Sequence, residues 1–349
     1  MTVDGLERYP SARDIEKVAR NPECRTLRTA LAANVDLRKF AVQLGLEEER
    51  QSPIAIARGQ QVERAILGND SARLLEKFVE DDRIDFDASA VDLGRRQKNR
   101  EGMRKAADKT DAFLAALLRG EEAPDVLIHP VLRLSLGGDE QFIEPDALVR
   151  FRGAPTYEPL ELKSYPYREG RTDPEDLRQA RRQGAVYVHA LRLRVHELGG
   201  SEDIVRPRVT LVFTRPNSLY PAPVYHELLS GEIRDVQHAL ALLTAARETL
   251  PDLVSDGTQL IDLLPNLDIH YTERCLSFCS LAKRCRERAS AEAHACVLGE
   301  RSSRVLGPIT IPRMLELLDG AKPKDDAESN LAERFRTLNE QLGSFQEVI

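Results

Sequence analysis

No stretch of this 349-residue chain is long and apolar enough to cross a bilayer, which excludes a helical membrane span. Residues 1–21 are polar and mixed in charge, and they lack the apolar core of a signal peptide. The chain is therefore expected to be soluble and cytoplasmic. It has no excess of positive charge, because the formal net charge is -7. That argues against a general nucleic-acid coat protein. It leaves a nuclease open, since local basic patches and bound metal ions set the field at a site. A Walker-type G-x-x-x-x-G-K-[ST] motif is missing, so any ATP-driven motor would be another chain. Internal repeats and a visible base-reading element are missing too.

What is present is enough hydrophobic sequence, 42%, for a sizeable core, in a length that suits two domains or one elaborated domain. The first third reads as helical, with apolar spacing through Leu27, Leu31 and Val35 and again through Val62, Ile66 and Leu74 to Phe78. A basic run follows at Arg95, Arg96, Lys98, Arg100, Arg104, Lys105 and Lys109. It is either a solvated helix face or a phosphate-contacting patch.

The pattern then changes. Residues 126–136, 142–151 and 157–163 read as three strands in a meander, punctuated by Gly137-Gly138 and Gly153-Ala154-Pro155. A polar, Arg-rich helix is expected over 174–193 and a fourth strand over 208–214. Residues 226–254 read as helical, and further helices are expected near Pro312 and over 331–342. The fold class is α/β, with mixed strand directions and helical additions.

Within that core, Pro145-Asp146 precedes Glu161-Leu162-Lys163. Side chains alternate along a strand, so Glu161 and Lys163 share a face, and Asp146 arrives from the neighbouring strand. Hard cations take carboxylate oxygens, and a bound Mg²⁺ or Mn²⁺ polarises a phosphate and acidifies a water. Lys163 would stabilise charge building on the phosphate. Alone, such a pattern equally describes a surface strand with a salt bridge. Gln183 and Tyr187, four apart on one face of the following helix, add a polar pair beside it. Arg178, Arg181 and Arg182 on the same helix are candidate DNA contacts.

The cysteines number 5, with three at Cys275, Cys279 and Cys285. In a reducing compartment such spacing suggests metal ligation rather than disulfides. Thiolates suit an iron–sulfur cluster or zinc. Ligation by four cysteines needs one more, either Cys24 or Cys296.

In this order, Asp146, Glu161-Leu162-Lys163 and Gln183-Gly184-Ala185-Val186-Tyr187 resemble the RecB-type branch of the PD-(D/E)xK nucleases. The resemblance covers about residues 20–290 and implies a restriction-endonuclease-like core, a central mixed sheet flanked by helices. It implies catalytic roles for Asp146, Glu161, Lys163, Gln183 and Tyr187. It also implies a further metal ligand at Glu63, within Arg58-Gly59-Gln60-Gln61-Val62-Glu63. Glu63 reads equally as a solvated helix residue, and His129 is a rival that sits beside Pro130. One group of that branch, including the CRISPR adaptation exonuclease and the AddB nuclease subunit, holds a [4Fe–4S] cluster through one N-terminal and three C-terminal cysteines. This favours Cys24 as the fourth ligand, although the first spacing here is three residues rather than the usual two.

The expected organisation is a helical region over 1–120, the nuclease core over 121–250, a cysteine region over 251–300 and a helical tail over 301–349. The expected activity is Mg²⁺- or Mn²⁺-dependent DNA hydrolysis, as an exonuclease on ends or single strands, in repair, recombination or defence. A helicase or a defence-system protein is the expected partner. A non-catalytic DNA-binding subunit and a zinc-stapled interaction module are the alternatives.

Overall fold

The computed structural model describes residues 6, 8–47, 52–68, 72–94, 99–167, 171–215, 219–254, 259–307 and 309–346. Arg95, Arg96 and Lys98 of the basic run lie outside them. The fold is α/β. No helix among the described residues is long and apolar enough to cross a membrane. The chain divides into two compact units. The first comprises residues 1–22, 27–36 and 50–264, and the second residues 23–26, 37–49 and 265–349. The four sequence regions therefore collect into two bodies, and the second draws on both ends of the chain.

The first unit is built on a six-stranded mixed sheet. Its strands are β1 (Ala90–Asp92), β2 (Val126–Ile128), β5 (Ala147–Val149), β6 (Glu158–Pro166), β7 (Arg208–Thr214) and β8 (Pro221–Leu228), in the spatial order β1-β2-β5-β6-β7-β8. β1 and β2 run parallel, as do β6 and β7, and the other neighbours are antiparallel. β3 (Leu132–Leu136) and β4 (Asp139–Ile143) form a separate hairpin.

The expected antiparallel meander is present as β2, β5 and β6, but its strands are not continuous. Each of its first two strands is broken in two, at points the chemistry explains. His129 adopts φ 52 just before Pro130, which ends β2. Pro145 lacks a donor and separates β4 from β5. β1 and β8 lie where no strand was expected.

Alternation along the strands sorts side chains between two helical layers. Val126, Ile128, Ala147, Val149, Leu160 and Val212 pack with Val62, Ile66 and Leu67 of the helix Pro53–Leu67 and with Leu74 and Phe78 of the helix Ala72–Glu80. The opposite face of β6 carries Glu161 and Lys163. It meets the helix Pro174–Glu197, which connects the parallel strands β6 and β7. A parallel pair requires such a crossover. Asp173 caps that helix by accepting from the backbone N–H groups of Glu175 (2.8 Å) and Asp176 (3.2 Å), and Pro174 opens it. It runs to Glu197, four residues beyond the expected end.

Close approach of this helix to the sheet depends on Gly184. A Cβ there would stand 2.7–2.9 Å from the side chain of Val209 in β7, which is fully buried. Gly184→Ala is expected to cost about 1–3 kcal/mol by overpacking and to lower the thermal midpoint by several degrees. An unchanged midpoint in thermal denaturation would refute this account of the helix–sheet contact.

Candidate metal and phosphate site

Asp146 stands one residue before β5. The register Ala147↔Leu160 sets it opposite Glu161. Its Oδ2 accepts the backbone N–H of Leu162 at 2.6 Å, so the Asp146 carboxylate is fixed between Glu161 and Lys163. Lys163 Nζ donates to Glu161 Oε1 at 2.8 Å and to Gln183 Oε1 at 2.9 Å. Gln183 Nε2 donates in turn to the Tyr187 hydroxyl at 2.7 Å. The five sequence-predicted residues therefore fall into one site. Exposure of Glu161, Lys163, Gln183 and Tyr187 ranges only from 2% to 6%, which rejects the surface salt-bridge reading of this strand.

Burial has consequences for charge. An ammonium and a carboxylate removed from water must be paired and hydrogen-bonded to persist. Lys163 meets that demand twice. Glu161 does so through Oε1; no close hydrogen bond reaches its buried Oε2, although the Tyr187 hydroxyl acts on the carboxylate as a hydrogen-bond donor. A carboxylate oxygen in such a position suits a cation ligand. Burial, then the negative charges of Glu161 and Asp146, pushes the Tyr187 phenol well above its ordinary pKa, so it remains neutral. Asp176, in the first turn of the same helix, is close enough to Lys163 for their charges to interact. Burial first, and then Asp173, raises the pKa of Asp176. Nothing in the sequence singled out Asp176 from the other acids of that turn.

Glu63 and His129, weighed as rivals, stand together. His129 Nε2 lies 3.1 Å from Glu63 Oε1, and its Nδ1 lies 3.0 Å from Asp92 Oδ1. The backbone N–H of His129 donates to the carbonyl of Asp146 at 3.0 Å, one strand over from the carboxylate pair. Hydrogen bonding to Glu63 first, and also to Asp92, raises the imidazole pKa. Asp92 was not anticipated. Its signal is faint: it ends a three-residue strand and accepts from Gly94 N at 2.9 Å.

The candidate DNA-contacting arginines are engaged within the first unit. Arg178 is paired with Glu175 at 2.6 Å, and Arg181 with Glu232 at 2.7 Å. Arg182 acts electrostatically on the buried Glu16. In the basic run, Arg100 Nη2 donates to the carbonyl of Glu140, Arg104 pairs with the Glu140 side chain and Lys105 with Glu101.

In the second unit, Cys24 immediately precedes the helix Arg25–Ala32, Cys275 lies in the turn Glu273–Ser277, and Cys285 lies in the helix Ala282–Ala291. Local bonds draw these segments together. The backbone N–H of Thr26 donates to the carbonyl of Asp268 (3.2 Å), and Arg288 Nη1 donates to that of Leu267 (2.8 Å). Burial, followed by the negative charges of Cys279, Cys24 and Cys275, raises the Cys285 thiol above the ordinary range. The thiols are thus crowded enough to oppose one another's ionisation, which a bound cation would relieve. Cys275 Sγ also accepts from the backbone N–H of Thr272 at 3.4 Å. Burial raises the pKa of Cys296, with Cys275 adding to the effect.

Among the described residues, no group of three or more His, Cys, Asp or Glu side chains is placed to hold a metal ion.

No family model, curated protein or solved structure matches this chain.

The geometry around Lys163 carries its own test. Lys163→Met strands the buried Glu161 charge and is expected to destabilise the protein by about 3–5 kcal/mol at neutral pH. The double variant Glu161→Gln/Lys163→Met should recover part of that loss. Chemical denaturation reads both, and a Lys163→Met protein as stable as wild type contradicts the buried pair.

Proposed function

We propose that this chain is a divalent-cation-dependent DNA nuclease with a PD-(D/E)xK core of the RecB-type branch, and that its second unit carries a cysteine-bound iron–sulfur cluster. The observation that carries the reading is the buried network joining Asp146, Glu161, Lys163, Gln183 and Tyr187. These are the residues of the motif, and they form one chain of hydrogen bonds from Tyr187 through Gln183 and Lys163 to Glu161, with Asp146 held on the backbone between them.

Asp146 and Glu161 are the residues that would hold Mg²⁺ or Mn²⁺, completed by water and substrate oxygens as such ions prefer. The ion, when bound, supplies a polarised phosphate and an acidified water. The chain's own groups do the rest. The N–H of Leu162 fixes the Asp146 carboxylate. Gln183 orients the Lys163 ammonium, which stabilises negative charge developing on the phosphate. Tyr187, kept neutral by burial, accepts from Gln183 and so fixes the amide orientation.

The deciding experiment supplies Mg²⁺ or Mn²⁺ with linear single-stranded, linear duplex or closed circular DNA. Cleavage of the linear forms, abolished by chelation and reduced at least about a hundredfold in Lys163→Ala, is expected. Metal-independent cleavage, or a Lys163→Ala protein as active as wild type, would overturn the assignment. Binding without cleavage would favour a non-catalytic subunit.

For the second unit, the donor set fits a soft metal centre: four thiols from three segments, of which Cys24, Cys275 and Cys279 are buried. Its role would be structural, because removing it leaves those thiols uncompensated. Anaerobic purification should give a coloured protein with iron and sulfide in equal amounts. Cys24→Ala should lose the iron and Cys296→Ala should retain it. A colourless protein containing zinc replaces the iron–sulfur assignment, and a protein with neither metal refutes the site.

A further inference from the structure

The helix Pro174–Glu197 is held from two sides. Gln183 meets Lys163 of the sheet, while Glu175 and Arg182 interact with the helix Ala12–Arg20. That second contact is built from groups that have left water: Glu16 is 1% exposed and the Arg20 side chain 4%. A buried carboxylate needs hydrogen bonds to stay ionised. Neither Glu16 oxygen has one. Arg20 Nε stands 3.6 Å from Glu16 Oε1, too far for a hydrogen bond, whereas Arg20 Nη2 donates to Glu175. Arg182 Nε is likewise buried without a hydrogen-bond partner.

This geometry suits a protonated Glu16 and leaves hydrogen bonds to be made once it ionises. The charges around it agree. Burial, opposed by Arg20, Arg182 and Lys17 and reinforced by Glu175, pushes the Glu16 carboxyl up to about 7. Lys17 is itself paired with the buried Asp14 at 2.9 Å. The helix Ser230–Glu248 also packs on Ala12–Arg20, and the residues it buries are Ile233, Val236, Ala239, Leu240 and Leu243. Its Arg234, Asp235 and His238 are exposed, and its Glu232 is taken by Arg181.

We propose that Glu16 is a positioning residue for the Lys163 site, whose ionisation draws Arg20 and Arg182 into hydrogen bonds and slackens the hold of Arg20 on Glu175. The proton passes to solvent. Closing the 3.6 Å gap moves a guanidinium whose other end Glu175 holds. Glu175 lies in the first turn of its helix beside Asp176, whose charge reaches Lys163. Arg182 directly precedes Gln183, which accepts from the same ammonium. Proton loss at Glu16 therefore loosens the helix at two points that set the surroundings of Lys163. The clamp stands on the fold alone, and its effect on cleavage rests on the proposed hydrolysis.

Three readouts on the full chain test this, with Glu16→Gln as the neutral isostere of the protonated acid. The first is thermal denaturation against pH. An acid whose folded pKa is raised loses stability as pH climbs from its ordinary value of 4.5 towards about 7. The wild-type midpoint should therefore fall by several degrees relative to Glu16→Gln between about pH 5 and about pH 8, and stay level above that. The second is ¹⁵N magnetic resonance of the arginine Nε–H groups, with Arg20 assigned by its loss in Arg20→Lys. The Arg20 signal should move with a midpoint near pH 7 in wild type and stay fixed in Glu16→Gln. The third is DNA cleavage with Mg²⁺. The kcat of Glu16→Gln should match wild type near about pH 6 and exceed it about threefold or more near about pH 8, with KM alike.

A stability difference that does not change with pH overturns the proposal. So does a wild-type Arg20 signal that ignores pH, and that result needs no Glu16 variant to fold. A kcat ratio equal at both pH values, with Arg20 moving as expected, overturns the positioning role. If the chain does not cut DNA at all, the hydrolytic reading fails by itself, and the first two readouts still decide the clamp.

Discussion

A single buried ammonium organises the first unit. Lys163 is only 6% exposed and depends on two acceptors, Glu161 from its own strand and Gln183 from the helix Pro174–Glu197. Leaving such a charge unpaired costs several kcal/mol, so helix and strand must keep one relative position. Much of the surrounding structure serves that position. β6 and β7 run parallel, which makes the helix their crossover. Gly184 lets it approach Val209, and Asp173 and Pro174 fix where it starts. Tyr187 accepts from Gln183 and so orients the amide oxygen toward Lys163. The same ammonium holds one Glu161 oxygen, while the other is buried with no close hydrogen bond and only the Tyr187 hydroxyl acting on the carboxylate, an asymmetry a cation would use.

The constellation was legible in the sequence because its spacing is local. Two residues on a strand and four on a helix each define a face, and β6 with its following helix is the most regular part of the core. Asp146 was legible as a neighbour of Glu161, although it stands just outside β5 rather than within a longer strand. The turn chemistry at His129-Pro130 and Glu144-Pro145 was read as continuous alternation, so the meander order was legible but the breaks in its first two strands were not. β1, three residues long, has too little pattern to detect, and Asp92 was missed with it. Glu63 and His129 were weighed as competitors since nothing in a linear chain shows that a helix residue and a turn residue meet.

Ion pairing is what the sequence did not show for the arginines: Arg178 and Arg181, candidate nucleic-acid contacts, are engaged by Glu175 and Glu232. Acids from the same helix and from elsewhere in the fold accompany the bases, as the net charge of -7 makes easy. The proposed cysteine metal set was read from the spacing of the triplet alone. What the sequence left open was how Cys24 reaches it, and Thr26 supplies that link through its bonds to residues 267 and 268.

The central claim is that Asp146 and Glu161 share one cation beside Lys163. The most direct measurement is anomalous diffraction from crystals soaked in Mn²⁺. The account predicts a peak at coordination distance from an oxygen of each carboxylate, with the Lys163 ammonium still bound to Gln183. Strong Mn²⁺ peaks elsewhere and none between these two carboxylates, in a protein that still cuts DNA, would contradict it.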